Sequence, residues 1–268
     1  MEVRNPVVAG KFYPEDPKIL RRWILSHGVR MVYSESVGGL SPHAGYVFSG
    51  DLACKVISSM GEADAVVILG PNHTGFGVVF SMSPADVWLT PLGEVEVDKE
   101  VRDLILEIDG MELDNTAHMY EHSIEVQLPI IQTFSPNAKI VPITVMGGLS
   151  PETYISMGRA LVSVHRKVEK KLLWLVSSDM NHYEDHETTM RKDELAINAI
   201  EELDPVKLYN VSTRNNISMC GIYPAMMVLA FLQCLGDIKI TSIGHKTSAE
   251  ASGDYSQVVG YYGCVFTG

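Results

Sequence analysis

The chain has 268 residues, 46 % of them hydrophobic, and a formal net charge of −12. That make-up suits a packed globular core, excludes a disordered chain, and argues against a general binder of nucleic acid or anionic membrane. Four scattered cysteines without a C-x-x-C pair, no leader-type apolar segment and no apolar run near the ~20 residues of a membrane span point to reduced thiols in a soluble, cytoplasmic protein.

In chain order, Asp16-Pro17 reads as a cap with proline in the first helical turn, predicting a helix over 18–27. Strand character follows over 29–33 and 37–40, then a sharp turn, Leu40-Ser41-Pro42-His43-Ala44-Gly45-Tyr46. Leu52, Val56 and Met60 stand at helical spacing within a helix over 49–60. Residues 65–69 are apolar on both faces, as a central parallel strand must be, and run straight into Gly70-Pro71-Asn72-His73. Short strands over 78–82, 87–90 and 95–97 precede a helix over 99–108. The polar stretch 115–122 reads as irregular. A helix over 123–134 follows, capped at Ser123 and kinked or ended at Pro129.

Strands over 139–145 and 172–176 flank a helix over 152–168, and the second strand ends in a polar loop, 177–183. A helix over 187–203 comes next, Asp204-Pro205 starts another, and Met219-Cys220-Gly221 precedes an apolar helix over 224–235. Strands over 238–245 and 257–266 close the chain. Alternation of strands and helices, without repeats or a linker, predicts one domain over 1–268 with a mixed α/β sheet covered on both faces.

Three loops share one character: each follows an apolar strand and each carries a histidine, His43, His73 or His182. Carboxyl ends of parallel strands lie along one edge, so these loops can converge there. Cys220, just before a helix, can join them, because a helix N-terminus favours the thiolate that a metal requires. Two imidazoles and a thiolate suit iron, zinc or copper, and three protein ligands leave positions open, as in a catalytic site. Asp179 reads either as an orienting carboxylate or as a helix cap, and His182 as a general acid or base. His118-Met119-Tyr120-Glu121-His122 matches H-x-x-E-H, which on a helix would bind zinc for hydrolysis; the loop-forming Asp114, Asn115 and Thr116 before it oppose that. No Walker loop, complete G-x-G-x-x-G or G-x-S-x-G elbow is present.

The ordered motifs 40–46, 70–73, Glu121-His122-Ser123-Ile124-Glu125, Ser177-Ser178-Asp179 with His182, and Cys220-Gly221 before Pro224 resemble those of the MEMO family, mediators of ErbB2-driven cell motility. Val8-Ala9-Gly10 with Phe12-Tyr13-Pro14 and Leu203-Asp204-Pro205 extend the resemblance over essentially the whole chain. It implies the three-layer α/β/α sandwich, with a mixed, largely parallel sheet, of class III extradiol ring-cleavage dioxygenases. It also implies a metal centre on His43, His73 and Cys220, with Asp179, His182 and His122 as polar, catalytic-type positions beside it. Iron(II) is the ion implied first, then copper or zinc. A cysteine where those dioxygenases carry a carboxylate argues against catechol-type cleavage, since a thiolate donates more charge and is itself oxidisable. The expected function is therefore a non-haem metal protein with a dioxygenase-like pocket, a redox or oxygenase-type enzyme whose partner is a small molecule or a peptide not identified by these residues. The alternatives are a peptide-binding adaptor with a vestigial site and a zinc hydrolase. Family members also suggest a pathway link to AMMECR-related and radical-SAM proteins.

Overall fold

The computed structural model describes residues 1–29 and 31–268. Its strands are β1 (Val3–Arg4), β2 (Ser36–Ser41), β3 (Ala65–Pro71), β4 (Phe80–Met82), β5 (Val87–Thr90) and β6 (Gly93–Glu96). They continue with β7 (Glu112–Leu113), β8 (Lys139–Val145), β9 (Leu172–Ser177), β10 (His182–Glu184), β11 (Lys239–Thr247) and β12 (Val258–Thr267). Helices are α1 (Pro17–His27), α2 (Asp51–Met60), α3 (Lys99–Leu106), α4 (Leu128–Phe134) and α5 (Pro151–Lys167). The remaining ones are α6 (His186–Glu201), α7 (Pro205–Asn215), α8 (Ile222–Leu235) and α9 (Ala249–Ser252).

The main sheet runs β10-β12-β2-β9-β3-β8-β4-β7, with β11 paired to β12. Its four central strands, β2, β9, β3 and β8, are mutually parallel, while β12 and β4 flank them antiparallel. The two-residue period of a strand decides what each face buries. Ala65, Val67 and Leu69 of β3 enter one core with Trp174 and Val176, whereas Val66 and Ile68 enter the other with Leu173 and Leu175. The first core is closed by α3, α5, α6, α7 and α8, and the second by α1, α2 and α4. Each fully buried leucine or isoleucine contributes about 2 kcal/mol. This is the expected three-layer α/β/α arrangement. A smaller sheet, β1-β5-β6, stands beside it.

Asp16 caps α1 through Lys18 N–H and Ile19 N–H, both at 2.9 Å, as its sequence predicts. Elsewhere the expectations shift. Of the strand expected over 29–33, Arg30 lies outside the described residues and the other four form no strand. The helix expected over 123–134 begins as a 3₁₀ turn, Glu125–Gln127, before α4. Ser123 does not cap it, because its hydroxyl donates to Pro71 O instead. Pro129 falls in the first turn of α4, where its missing N–H costs nothing, so it neither kinks nor ends the helix. α6 is capped by Asp185, which leaves Asp179 for another role. Among the described residues no helix is long and apolar enough to cross a membrane.

The parallel centre sets the site. β2, β3 and β9 end together at Ser41, Pro71 and Ser177, so the loops carrying His43, His73 and Asp179 meet at one edge. Antiparallel β12 brings its first residues to the same edge, where Val259 pairs with His182 of β10.

Candidate metal centre

His43 is held from three sides. Its backbone N–H donates to Asp179 Oδ1 at 2.8 Å, and its Nδ1 lies 2.9 Å from Ser177 Oγ. The Ser177 hydroxyl gives its one proton to Ser123 O at 2.6 Å and accepts Gln127 Nε2–H at 2.9 Å. It can therefore only accept from His43, which places the ring proton on Nδ1 and the lone pair on Nε2. Gln127 is fixed in turn, its Nε2 donating to Pro42 O and its Oε1 accepting the Ser41 hydroxyl. Burial, with the charge on His73 second, holds the His43 imidazole well below its ordinary pKa, so the ring is neutral.

His73 is held by one carboxylate. Glu121 accepts its backbone N–H at 2.6 Å and faces its Nδ1 at 2.9 Å, and it also takes the N–H groups of His122 and Ser123. Burial pushes the Glu121 carboxyl up, but the His73 hydrogen bond and charge outweigh it and hold it at about 2. The same pair raises the His73 pKa against the opposing effect of burial. Nδ1 is committed to Glu121, so Nε2 is the nitrogen His73 has to offer. This is the carboxylate–histidine support that metal ligands use. The close packing of this loop on β3 needs a glycine: a Cβ on Gly70 would lie 2.6 Å from Ser123 Oγ.

His122 stacks on His73 with ring centroids 4.7 Å apart and meets His43 edge-on at 5.6 Å. One ring nitrogen from each of His43, His73 and His122 lies within 4.8 Å of the others. The donor set fits a first-row divalent ion: neutral or anchored imidazoles converging on one point. Cys220 stands beside His43 rather than within this group of three, its Sγ 3.2 Å from His43 Nε2, the nitrogen that ring offers, and accepting Asp179 N–H at 3.3 Å. A Cβ on Gly221 would lie 2.4 Å from Ser178 Cβ, which is how close the chain passes to seat that thiol. Burial pushes the Cys220 thiol up, and Asp179 adds to this; the lowering expected from the helix start does not win.

Over the three histidines opens a cavity of about 580 Å³, lined also by Asp179, His182, Phe12, Phe48, Tyr183 and Tyr261. His182 donates its backbone N–H to Ser218 Oγ at 2.8 Å and Nδ1–H to Ser218 O at 2.9 Å, leaving Nε2 as a base; burial lowers its pKa. Burial likewise pushes the Asp179 carboxyl up to about 7, against the His43 amide. No lysine or arginine lines this cavity among the described residues.

The H-x-x-E-H reading fails on geometry. Residues 115–120 lie in turns and bends and 121–122 in irregular chain, not on a helix, and fully buried His118 points its Nε2 at Ser81 O, 3.2 Å away. Glu121 serves as an acceptor for histidine and amides. The motif thus signals the right histidine, His122, with the wrong partner. Gln127 carries no functional signal of its own, and Ser177 and Ser123, though they stand in the family-like motifs, show what they hold only once β2, β9 and the 3₁₀ turn meet.

A family model described as Memo-like protein matches residues 4–265. A MEMO1 family protein of Desulfurococcus amylolyticus is 41 % identical over 97 % of this chain and 98 % of its own. Counterparts in Saccharolobus solfataricus (42 % identical, 98 % and 99 % covered) and Aquifex aeolicus (41 %, 99 % and 100 %) match as fully. The crystal structure of an uncharacterized protein from Escherichia coli K12 shares the fold at a TM-score of 0.56. It is 12 % identical and covers 86 % of this chain and 99 % of its own.

Proposed function

The chain belongs to the Memo-like protein family, and from that premise we propose a metal-dependent enzyme of redox or oxygenase type acting on a small molecule. The observation that carries the reading is the convergence of three imidazoles, two of them with Nδ1 already committed to Ser177 or Glu121. Rings held in this way are oriented for a ligand they do not yet touch. We assign iron(II) to His43, His73 and His122; Cys220 would join them as a thiolate only on giving up the proton that burial now favours, and metal analysis separates iron from copper and zinc. When bound, the ion supplies Lewis acidity and one-electron chemistry at the cavity floor.

The chain's own residues supply the rest. His182 Nε2 takes a proton from a substrate in the cavity, and Asp179, whose pKa lies near 7, holds or returns one. Phe12, Phe48 and Tyr261 give the walls apolar surface. The absence of lysine and arginine from the lining, among the described residues, favours a substrate without phosphate, and we rank a phosphopeptide adaptor second. Four free cysteines suit a reducing compartment, and we place the protein in the cytoplasm.

Metal content of anaerobically purified protein tests the assignment. Near-stoichiometric metal in the wild type should fall away in His43→Ala and His122→Ala; full occupancy in either variant would overturn it. Oxygen uptake across a panel of aromatic compounds tests the activity, and His182→Ala should abolish turnover while keeping the metal. A loaded protein that turns over nothing, yet binds peptides equally well with and without metal, would make it an adaptor.

A further inference from the structure

We propose that Arg4 is a positioning residue of the metal site, clamping the backbone of the loop that presents Glu121 and His122. The inference rests on the metal-site reading above and adds a residue that lies outside the cavity.

Arg4 and Glu125 form a buried pair, with side chains 3 % and 0 % exposed. A guanidinium offers five donors in a fixed plane, and here they are shared among three acceptors. Nη1 donates to Glu125 Oε2, Nη2 to Glu121 O at 2.6 Å, and both Nη2 and Nε to His118 O at 3.2 and 3.4 Å. The plane lies over the Trp88 ring, 4.3 Å from its centroid, so Arg4 is fixed on both its face and its edge. Glu125 is saturated from the N-terminal side by Val7 N–H at 2.9 Å, Val8 N–H at 3.0 Å and Tyr13 Oη–H at 2.7 Å.

The consequence follows from the peptide's rigidity. Arg4 fixes the carbonyl of Glu121, and the carboxylate of the same residue orients His73 while its neighbour is His122. A small shift of that one peptide moves the His73 support and the His122 ring together. The N-terminal segment touches the loop a second time where Phe12 packs on His122, ring centroids 4.8 Å apart. A turn-rich loop without strand or helix of its own is thereby tied to the N-terminal segment at the His118 and Glu121 carbonyls and at the His122 ring.

The test compares Arg4→Lys with Ile105→Ala, a fully buried position in the other core. Lysine keeps the charge beside Glu125 but cannot span the Glu121 and His118 carbonyls. Two readouts apply: cobalt(II) affinity from its visible spectrum, and hydrogen exchange in metal-free protein at the amides of His73, His122 and Ser123, all of which donate to Glu121. Arg4→Lys should weaken cobalt binding about tenfold and speed exchange at those three amides. Ile105→Ala should lower Tm without either change. Tyr13→Phe, which removes one donor to Glu125, should act in the same direction more weakly and serves if Arg4→Lys does not fold. Unchanged exchange and affinity in Arg4→Lys, or equal losses in Ile105→Ala, would overturn the proposal. If the wild type takes up no cobalt, the metal-site reading falls, and exchange at the three amides still decides whether Arg4 clamps the loop.

Discussion

Two buried carboxylates face the same group of histidines, and their surroundings drive them apart. Glu121 is 1 % exposed and accepts four N–H groups, from His73 twice and from His122 and Ser123, which hold it ionised with a pKa of about 2. Asp179 is 6 % exposed, has the His43 amide at 2.8 Å as its main donor, and is pushed by burial up to about 7. Burial alone would neutralise both; the supply of donors decides which one keeps its charge. One carboxylate becomes a permanent support and the other a proton carrier, a division of labour read from environment rather than residue type.

The largest test of that division is Glu121→Gln. Its amide NH₂ would oppose the donors it now accepts, and metal affinity should drop about 10- to 100-fold in a cobalt(II) titration. Wild-type affinity in this variant would reduce Glu121 to a bystander.

Next comes the pH dependence of stability in metal-free protein. The Asp179 pKa is raised from 3.8 to about 7 in the fold, so the native state holds an extra proton in that window and stability falls as pH rises through it. At about 1.4 kcal/mol per pH unit the loss by pH 8 reaches up to about 4 kcal/mol. Asp179→Asn should therefore gain on the wild type as pH rises from about 4 to 7, keep that advantage at higher pH, and match its slope only below about pH 3. Glu121 carries the opposite sign: its depressed pKa stabilises the fold above about 4.5, and that contribution disappears as pH falls towards 2. Urea unfolding at pH 3, 5 and 8 reads both slopes, and a pH-independent offset between wild type and Asp179→Asn would erase the contrast.

Ser177→Ala should have a smaller effect. It removes the acceptor that fixes the His43 tautomer, while Gln127 keeps Pro42 O as a partner. The expected cost is about 1–2 kcal/mol in denaturant unfolding, with several-fold weaker cobalt binding. His118→Asn should change cobalt affinity least, by less than about threefold, under 0.7 kcal/mol. An effect as large as that of Glu121→Gln would restore the helical H-x-x-E-H reading.

His43 and His73 were legible because the rule that places them is local: an apolar strand, a glycine- or proline-marked turn, then a histidine. Parallel β2 and β3 do the rest. The layered fold was legible for the same reason, since β3 and β9 are apolar on both faces. His122 was harder to read as part of the cluster because no strand delivers it; a loop of turns does, held by partners more than a hundred residues away. The misplaced start of α4 has a similar origin. Ser123 has the chemistry of a cap, yet its hydroxyl is drawn to Pro71 O across the site. Cys220 reads as activated from its position before α8, whereas the three-dimensional burial around it raises its pKa.

The Arg4 clamp also bears on the order of assembly. It joins positions 114 to 121 residues apart, a loop-closure cost that must be met before any of its hydrogen bonds can form. Contacts of such separation belong to the slow part of a folding reaction. In a refolding time course, competence to take up cobalt should lag until the first residues of the chain dock. The metal pocket would then be a late checkpoint, certifying that both ends of a long excursion have found each other.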